Sequence, residues 1–173
     1  MNRAVRRVLA GYVLISVALA FLAIAQALFV LRSPGPAPFG SAAMVSAMVS
    51  FFIGLILILR QYPKATMFGF NRVLVSFWSN NTTWVRVAVV AFWFFGLAVA
   101  ALGIATAKNN IGQANGKYFV QQGATTFISR SEYEIARAAP ARLAAGGALG
   151  FNAAALVMIL GYPTPGADPD VRT

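Results

Sequence analysis

The chain has 173 residues, 59% of them hydrophobic and only 10% charged, against roughly 25% charged in an ordinary soluble domain. A water-facing globular fold could not hide that much apolar surface, and its arrangement in long unbroken runs points to lipid as the solvent. A formal charge of +10 placed beside those runs fits topology and anionic headgroups better than nucleic acid, while the absence of cysteine and histidine removes disulfides, thiolate metal sites, haem ligation by histidine and the commonest general base.

The first apolar run, residues 8–31, follows Arg3, Arg6 and Arg7 and carries no charge. It is long enough to cross a hydrocarbon core of ~30 Å. Ala25-Gln26-Ala27 resembles a signal-cleavage site, but the run continues through Leu31 and is too long for a signal peptide; it reads as a retained helix. Residues 33–40, with three prolines and two glycines, turn the chain back. A second crossing over 41–59 ends at Arg60, with Tyr62-Pro63 at its exit.

Between Lys64 and Arg86, the residues Phe70, Val73, Leu74 and Phe77 recur at helical spacing opposite Asn71, Arg72, Ser76 and Ser79. This pattern predicts a short amphipathic helix lying in the headgroup layer, with Trp78 and Trp84 at the depth where indoles prefer to sit. The third crossing, 87–107, contains Phe92-Trp93-Phe94-Phe95 and stops at Lys108-Asn109-Asn110.

The outer loop, 109–142, is the one non-lipid stretch with room for structure of its own. Tyr118-Phe119-Val120 and Thr125-Thr126-Phe127-Ile128 favour strands around Gly123, predicting a small hairpin. Ser131-Glu132-Tyr133-Glu134 has the form of a capping box, placing a short helix start there, and Pro140 interrupts it. A fourth crossing, 143–161, is rich in alanine and glycine, and Pro163 and Pro165 precede a disordered tail, 163–173, with Asp168, Asp170 and Arg172. The expected fold is thus an all-α polytopic membrane protein: one membrane domain, four transmembrane helices, an interfacial helix and a structured outer loop.

With both termini inside, Arg3, Arg6, Arg7, Arg60, Lys64, Arg72, Arg86 and Arg172 face the cytoplasm, eight in all. Six face out: Arg32, Lys108, Lys117, Arg130, Arg137 and Arg142. The positive-inside rule favours that orientation. On it, the overlapping sequons at Asn80-Asn81-Thr82-Thr83 face the cytoplasm and stay unglycosylated. Arginine outnumbering lysine, with abundant alanine, points to a GC-rich bacterium and so to its cytoplasmic membrane.

No acidic residue falls within a crossing, which argues against a proton-coupled pump, because such pumps relay protons through intramembrane carboxylates. The sharpest intramembrane polar groups are Gln26 and Asn152, read first as interhelical hydrogen-bonding groups and second as a polar spot for a ligand. Ser46-x-x-x-Ser50-x-x-x-Gly54, Gly96-x-x-x-Ala100 and Gly146-x-x-x-Gly150 put small residues on one helix face, which lets backbones approach. Without histidine, a hydrolase would need a serine-lysine pair, and no lysine lies in a crossing.

The chain is therefore expected to be non-catalytic, with no cofactor and no metal. Its expected role is an accessory or assembly subunit of a larger membrane complex, respiratory or transport for example, held by its packing faces. Tyr118, Phe119, Phe127, Glu132, Tyr133 and Glu134 of the outer loop are the expected docking residues. Its partners would be the bilayer with its anionic headgroups and other subunits or further copies of itself, with no nucleic acid. The competing expectation is a small oligomeric channel or transporter, with Gln26, Ser46, Ser50 and Asn152 lining a polar pathway.

Overall fold

The computed structural model describes residues 3–29, 38–61, 66–122 and 124–162. Most of the expected turn over 33–40, the exit at Tyr62-Pro63, Gly123 and the tail over 163–173 lie outside the described residues. Six helices and three strands follow in the order α1 (Arg3–Phe29), α2 (Pro38–Gln61), α3 (Thr66–Asn80), α4 (Thr83–Thr106), β1 (Ile111–Ala114), β2 (Lys117–Gln122), β3 (Ala124–Ile128), α5 (Arg130–Arg137) and α6 (Ala139–Leu160). Helix accounts for 81% of the described residues, so the all-α expectation holds apart from the outer loop.

Among the described residues, four helices are long and apolar enough to cross a membrane: α1, α2, α4 and α6. They start earlier than the apolar runs suggest. Proline opens α2 at Pro38, where its missing N–H costs nothing and its fixed φ suits the first turn. Helix α4 begins at Thr83 rather than Val87, and α6 at Ala139 rather than Leu143, because a helix needs only backbone hydrogen bonds and runs on past the last apolar residue. Arg86 and Arg142 therefore sit within helices. The 22 residues of α6 span roughly 33 Å, enough to cross a hydrocarbon core without the polar α5.

Helix α6 is the central element. In the fourth span, 56% of the apolar stretch is buried, against 22% to 33% in the other three. Ala145, Ala148, Leu149, Asn152, Ala153, Ala155, Leu156, Met158 and Ile159 are all buried, and they take up more than half of the circumference, a wider buried face than a helix packed on one side shows. Helix α2 runs parallel to it: Met44 lies by Gly147, Phe51 meets Phe151 with ring centroids 5.3 Å apart, and Gly54 lies by Met158. Helix α4 runs antiparallel, Gly96 facing Gly146 and Gly103 facing Leu143. Helix α1 is also antiparallel to α6, with Arg6 donating to the carbonyl of Leu160. Phe21 of α1 reaches α4, its ring centroid 5.6 Å from Phe92 and 6.0 Å from Phe95.

Helix α3 closes one end of this bundle. Val73 and Phe77 are buried, four apart and so on one face. Val73 packs with Ile58 and Met158, and the backbone of Gly161, just past α6, lies against the Val73 carbonyl and the Phe77 side chain. Phe70, expected on the same face, is instead exposed, one turn before Val73 in α3. The opposite end carries the outer module of β1 to β3 and α5.

Candidate functional site

The outer module is built on local signals. Asn115 and Gly116 both have positive φ, 50° and 73°, the backbone of a type I′ turn and the reason for an Asn-Gly pair there. That turn joins β1 to β2, and β2 pairs antiparallel with β3, in the order β1-β2-β3. The expected two-stranded hairpin is thus a three-stranded sheet. Strand β1 escapes a reading by composition because Ile111 is its one β-branched residue; the Asn-Gly dipeptide was the available signal.

Directly opposed residues share a face of the sheet. Tyr118, Val120, Thr126 and Ile128 share the face towards α5, where the Tyr118 and Tyr133 rings lie 4.8 Å apart. Phe119 and Phe127 share the other face. A methyl group at Gly112 would come within 2.5 Å of the Phe119 ring, so that ring lies across β1. The Lys117 ammonium sits 5.4 Å from the centroid of Phe127, which is 65% exposed.

The cap of α5 begins two residues earlier than the sequence suggests. Ser129, not Ser131, is the N-cap: its Oγ accepts from the Glu132 N–H at 3.2 Å, and its own N–H donates to Glu132 Oε2 at 2.9 Å. Glu134, which the alternative box would use, instead accepts from Arg130 Nε at 2.9 Å. Glu132 also pairs with Lys108 at 3.6 Å, tying α5 to the end of α4.

Donation by the Ser129 N–H and hydroxyl, and secondly the charge of Lys108, hold the Glu132 carboxyl below the ordinary carboxylate range. A depressed folded-state pKa means that the cap's stabilisation is fully present above the ordinary carboxyl pKa and lost as pH falls through the lowered one. The protection factors of the amides in the first turn of α5, taken against intrinsic exchange at each pH, are therefore expected to fall below about pH 4, and Glu132→Ala is expected to show the lowered protection already at neutral pH. Protection unchanged across that range in the native chain would refute the cap's role.

Of the six expected docking residues, five are engaged within the module: Tyr118 and Tyr133 with each other, Phe119 over Gly112, Glu132 in the cap and Glu134 with Arg130. Phe127 alone projects outward. The outer edge of β3 has no strand partner among the described residues, and Ala124 to Phe127 along it are exposed.

The intramembrane polar groups do not form one connected set. The amide oxygen and nitrogen of Asn152 are buried without a partner among the described residues, as are Ser16 Oγ and Gln26 Oε1. Ser50 donates back to the Ser46 carbonyl at 2.9 Å, and Ser46 bonds the Tyr12 hydroxyl across the α1–α2 contact at 3.3 Å. Sequence reasoning missed Tyr12 and Arg142. The latter, only 5% exposed, donates to Thr106 at 3.1 Å and to the Ile135 carbonyl at 3.3 Å, holding together the ends of α4, α5 and α6.

The small-residue motifs meet within this one chain. A methyl group at Gly146 would lie 2.5 Å from the Gly96 carbonyl oxygen and from the Ala100 nitrogen, and one at Gly54 would lie 3.1 Å from Met158. Gly150 faces open space, with nothing within 4 Å of such a methyl. Comparison of the chain with protein-family models, with curated proteins and with solved structures found no match in any of the three.

Proposed function

We propose that the chain is a non-catalytic accessory or assembly subunit of a larger complex in a bacterial cytoplasmic membrane, docking through its outer sheet. The observation that supports this most directly is the exposed β3 edge beside the outward ring of Phe127. Unpaired strand edges without charge or proline are templates for another chain, and a strand added there would gain main-chain hydrogen bonds with Phe127 as a side-chain anchor. The remaining module residues hold that edge in place. Lacking cysteine and histidine, the chain has no conventional nucleophile–base pair to set against this reading.

The orientation proposed with it puts both termini in the cytoplasm. Arg6, Arg7, Arg60, Arg72 and Arg86 gather at the α3 end, and Lys108, Lys117, Arg130, Arg137 and Arg142 at the opposite one. The proposed orientation rests on the count over the whole sequence, eight basic residues against six.

Gentle-detergent purification from the native membrane tests the role. The expected result is a particle larger than the chain, with a second polypeptide at fixed ratio. Phe127→Ser combined with Thr125→Lys, which places a charge on the edge, is expected to release that polypeptide and leave the helical bundle intact. A chain running alone as a monomer or closed homo-oligomer would overturn the proposal.

A further inference from the structure

At the α3 end the protein carries a concentration of positive charge that its own described residues do not neutralise. Among them, Arg7, Arg60 and Arg72 are exposed and without an acidic partner. Arg86 is the most enclosed of the group apart from Arg6, whose guanidinium is occupied by the Leu160 carbonyl. It is half-buried, its Nε has no partner among the described residues, and its guanidinium lies 5.9 Å from the centroid of Trp78. Trp78, near the end of α3, is itself exposed, and Trp84 in the first turn of α4 is 84% exposed.

These features sit at one depth. Helix α3 lies across the end of the bundle through Val73 and Phe77, so its other sides meet the headgroup layer, where exposed indoles are favoured. An arginine held over an indole face by cation–π attraction keeps the N–H groups at the rim of its planar fork free, and that fork matches phosphate oxygens in a bidentate way. Arg86 enters α4 at this same level with no acid to meet it, so the complementary ligand is an anionic phosphate ester presented at the membrane surface.

We infer that the α3–α4 elbow is a binding site for an anionic phospholipid headgroup, with Arg86 holding the phosphate, Trp78 fixing the guanidinium, and Arg72 adding long-range attraction. The site stands apart from the outer module and does not depend on its docking role. Acyl chains would run along the apolar outer face of α4, where Val87, Phe94 and Leu97 are exposed.

The test uses the full purified chain in detergent with equal amounts of phosphatidylglycerol and phosphatidylcholine of matched acyl chains, read by native mass spectrometry. Retention of phosphatidylglycerol is expected to exceed that of phosphatidylcholine by about tenfold. Arg86→Gln is expected to abolish the preference, Arg86→Lys to keep part of it, and Trp78→Leu to weaken it several-fold. Arg130→Gln, at the other end of the molecule, leaves it unchanged. Equal retention of the two lipids, or full preference in Arg86→Gln, would overturn the site. Displacement of phosphatidylglycerol by excess inorganic phosphate would assign the elbow to free phosphate and overturn the lipid. The lysine and tryptophan variants keep the test decisive should the glutamine variant fail to fold.

Discussion

Gly146→Leu is expected to separate α4 from α6 and destabilise the bundle by about 3 kcal/mol or more, at the upper end of what overpacking costs. The approach at Gly146 is to backbone on both sides, the Gly96 carbonyl oxygen and the Ala100 nitrogen, each 2.5 Å from where a first methyl would stand. No rotamer relieves that, because the obstruction is the neighbouring helix itself. Lipid offers no hydrophobic force to press two helices together, so close packing of this kind is a main source of their association. Gly150→Ala, one turn on, is expected to be silent, since its methyl meets nothing within 4 Å. Reversible unfolding in mixed detergent and SDS would compare the two, and equal midpoints would refute the packing account.

Asn152→Leu is expected to act in the other direction, raising stability by about 1–2 kcal/mol. The amide is 0% exposed with neither its oxygen nor its nitrogen partnered among the described residues, and a buried polar group without a partner carries its full desolvation cost. Leucine keeps the branching of the side chain and removes that cost; its larger methyl groups offset part of the gain. The same unfolding assay reads the sign. Destabilisation by Asn152→Leu would mean that the amide is hydrogen-bonded in the bilayer, the interhelical role first expected from the sequence.

Much of the architecture was legible from uncharged length. Each of the four helices long and apolar enough to span a membrane sits on one of the four apolar runs, and the period of Val73 and Phe77 located the helix α3. What length could not give is the order of the packing. Any of the four runs is apolar enough to be central, and α6 occupies the middle because its alanines and glycines let three helices approach at once, a property that appears only when their faces meet. Helices α4 and α6 begin before the apolar runs do, at Thr83 and Ala139; charged Arg86 and Arg142 bound the runs in a hydropathy reading, whereas within the helix Arg142 is enclosed by Thr106 and the Ile135 carbonyl.

The candidate site was legible as a region and less so as residues. The outer loop was identified as the structured non-lipid segment, but aromatic and charged character does not separate residues that hold a module together from one that faces away. Tyr118 and Tyr133 look as suitable for docking as Phe127 until their rings are found against each other. Two overlapping Ser-x-x-Glu patterns compete for the start of α5, and the choice of Ser129 rests on contacts distant in sequence or sideways on the helix: Lys108 draws Glu132, while Arg130 takes Glu134.

A photo-crosslinking phenylalanine analogue in place of Phe127, activated in native membranes, examines the docking role at its point of contact. An adduct with a different polypeptide, of one defined mass and missing when the same probe replaces Trp84 at the opposite end, is the expected result. No protein adduct at Phe127, or one of only twice the mass of the chain, would contradict it.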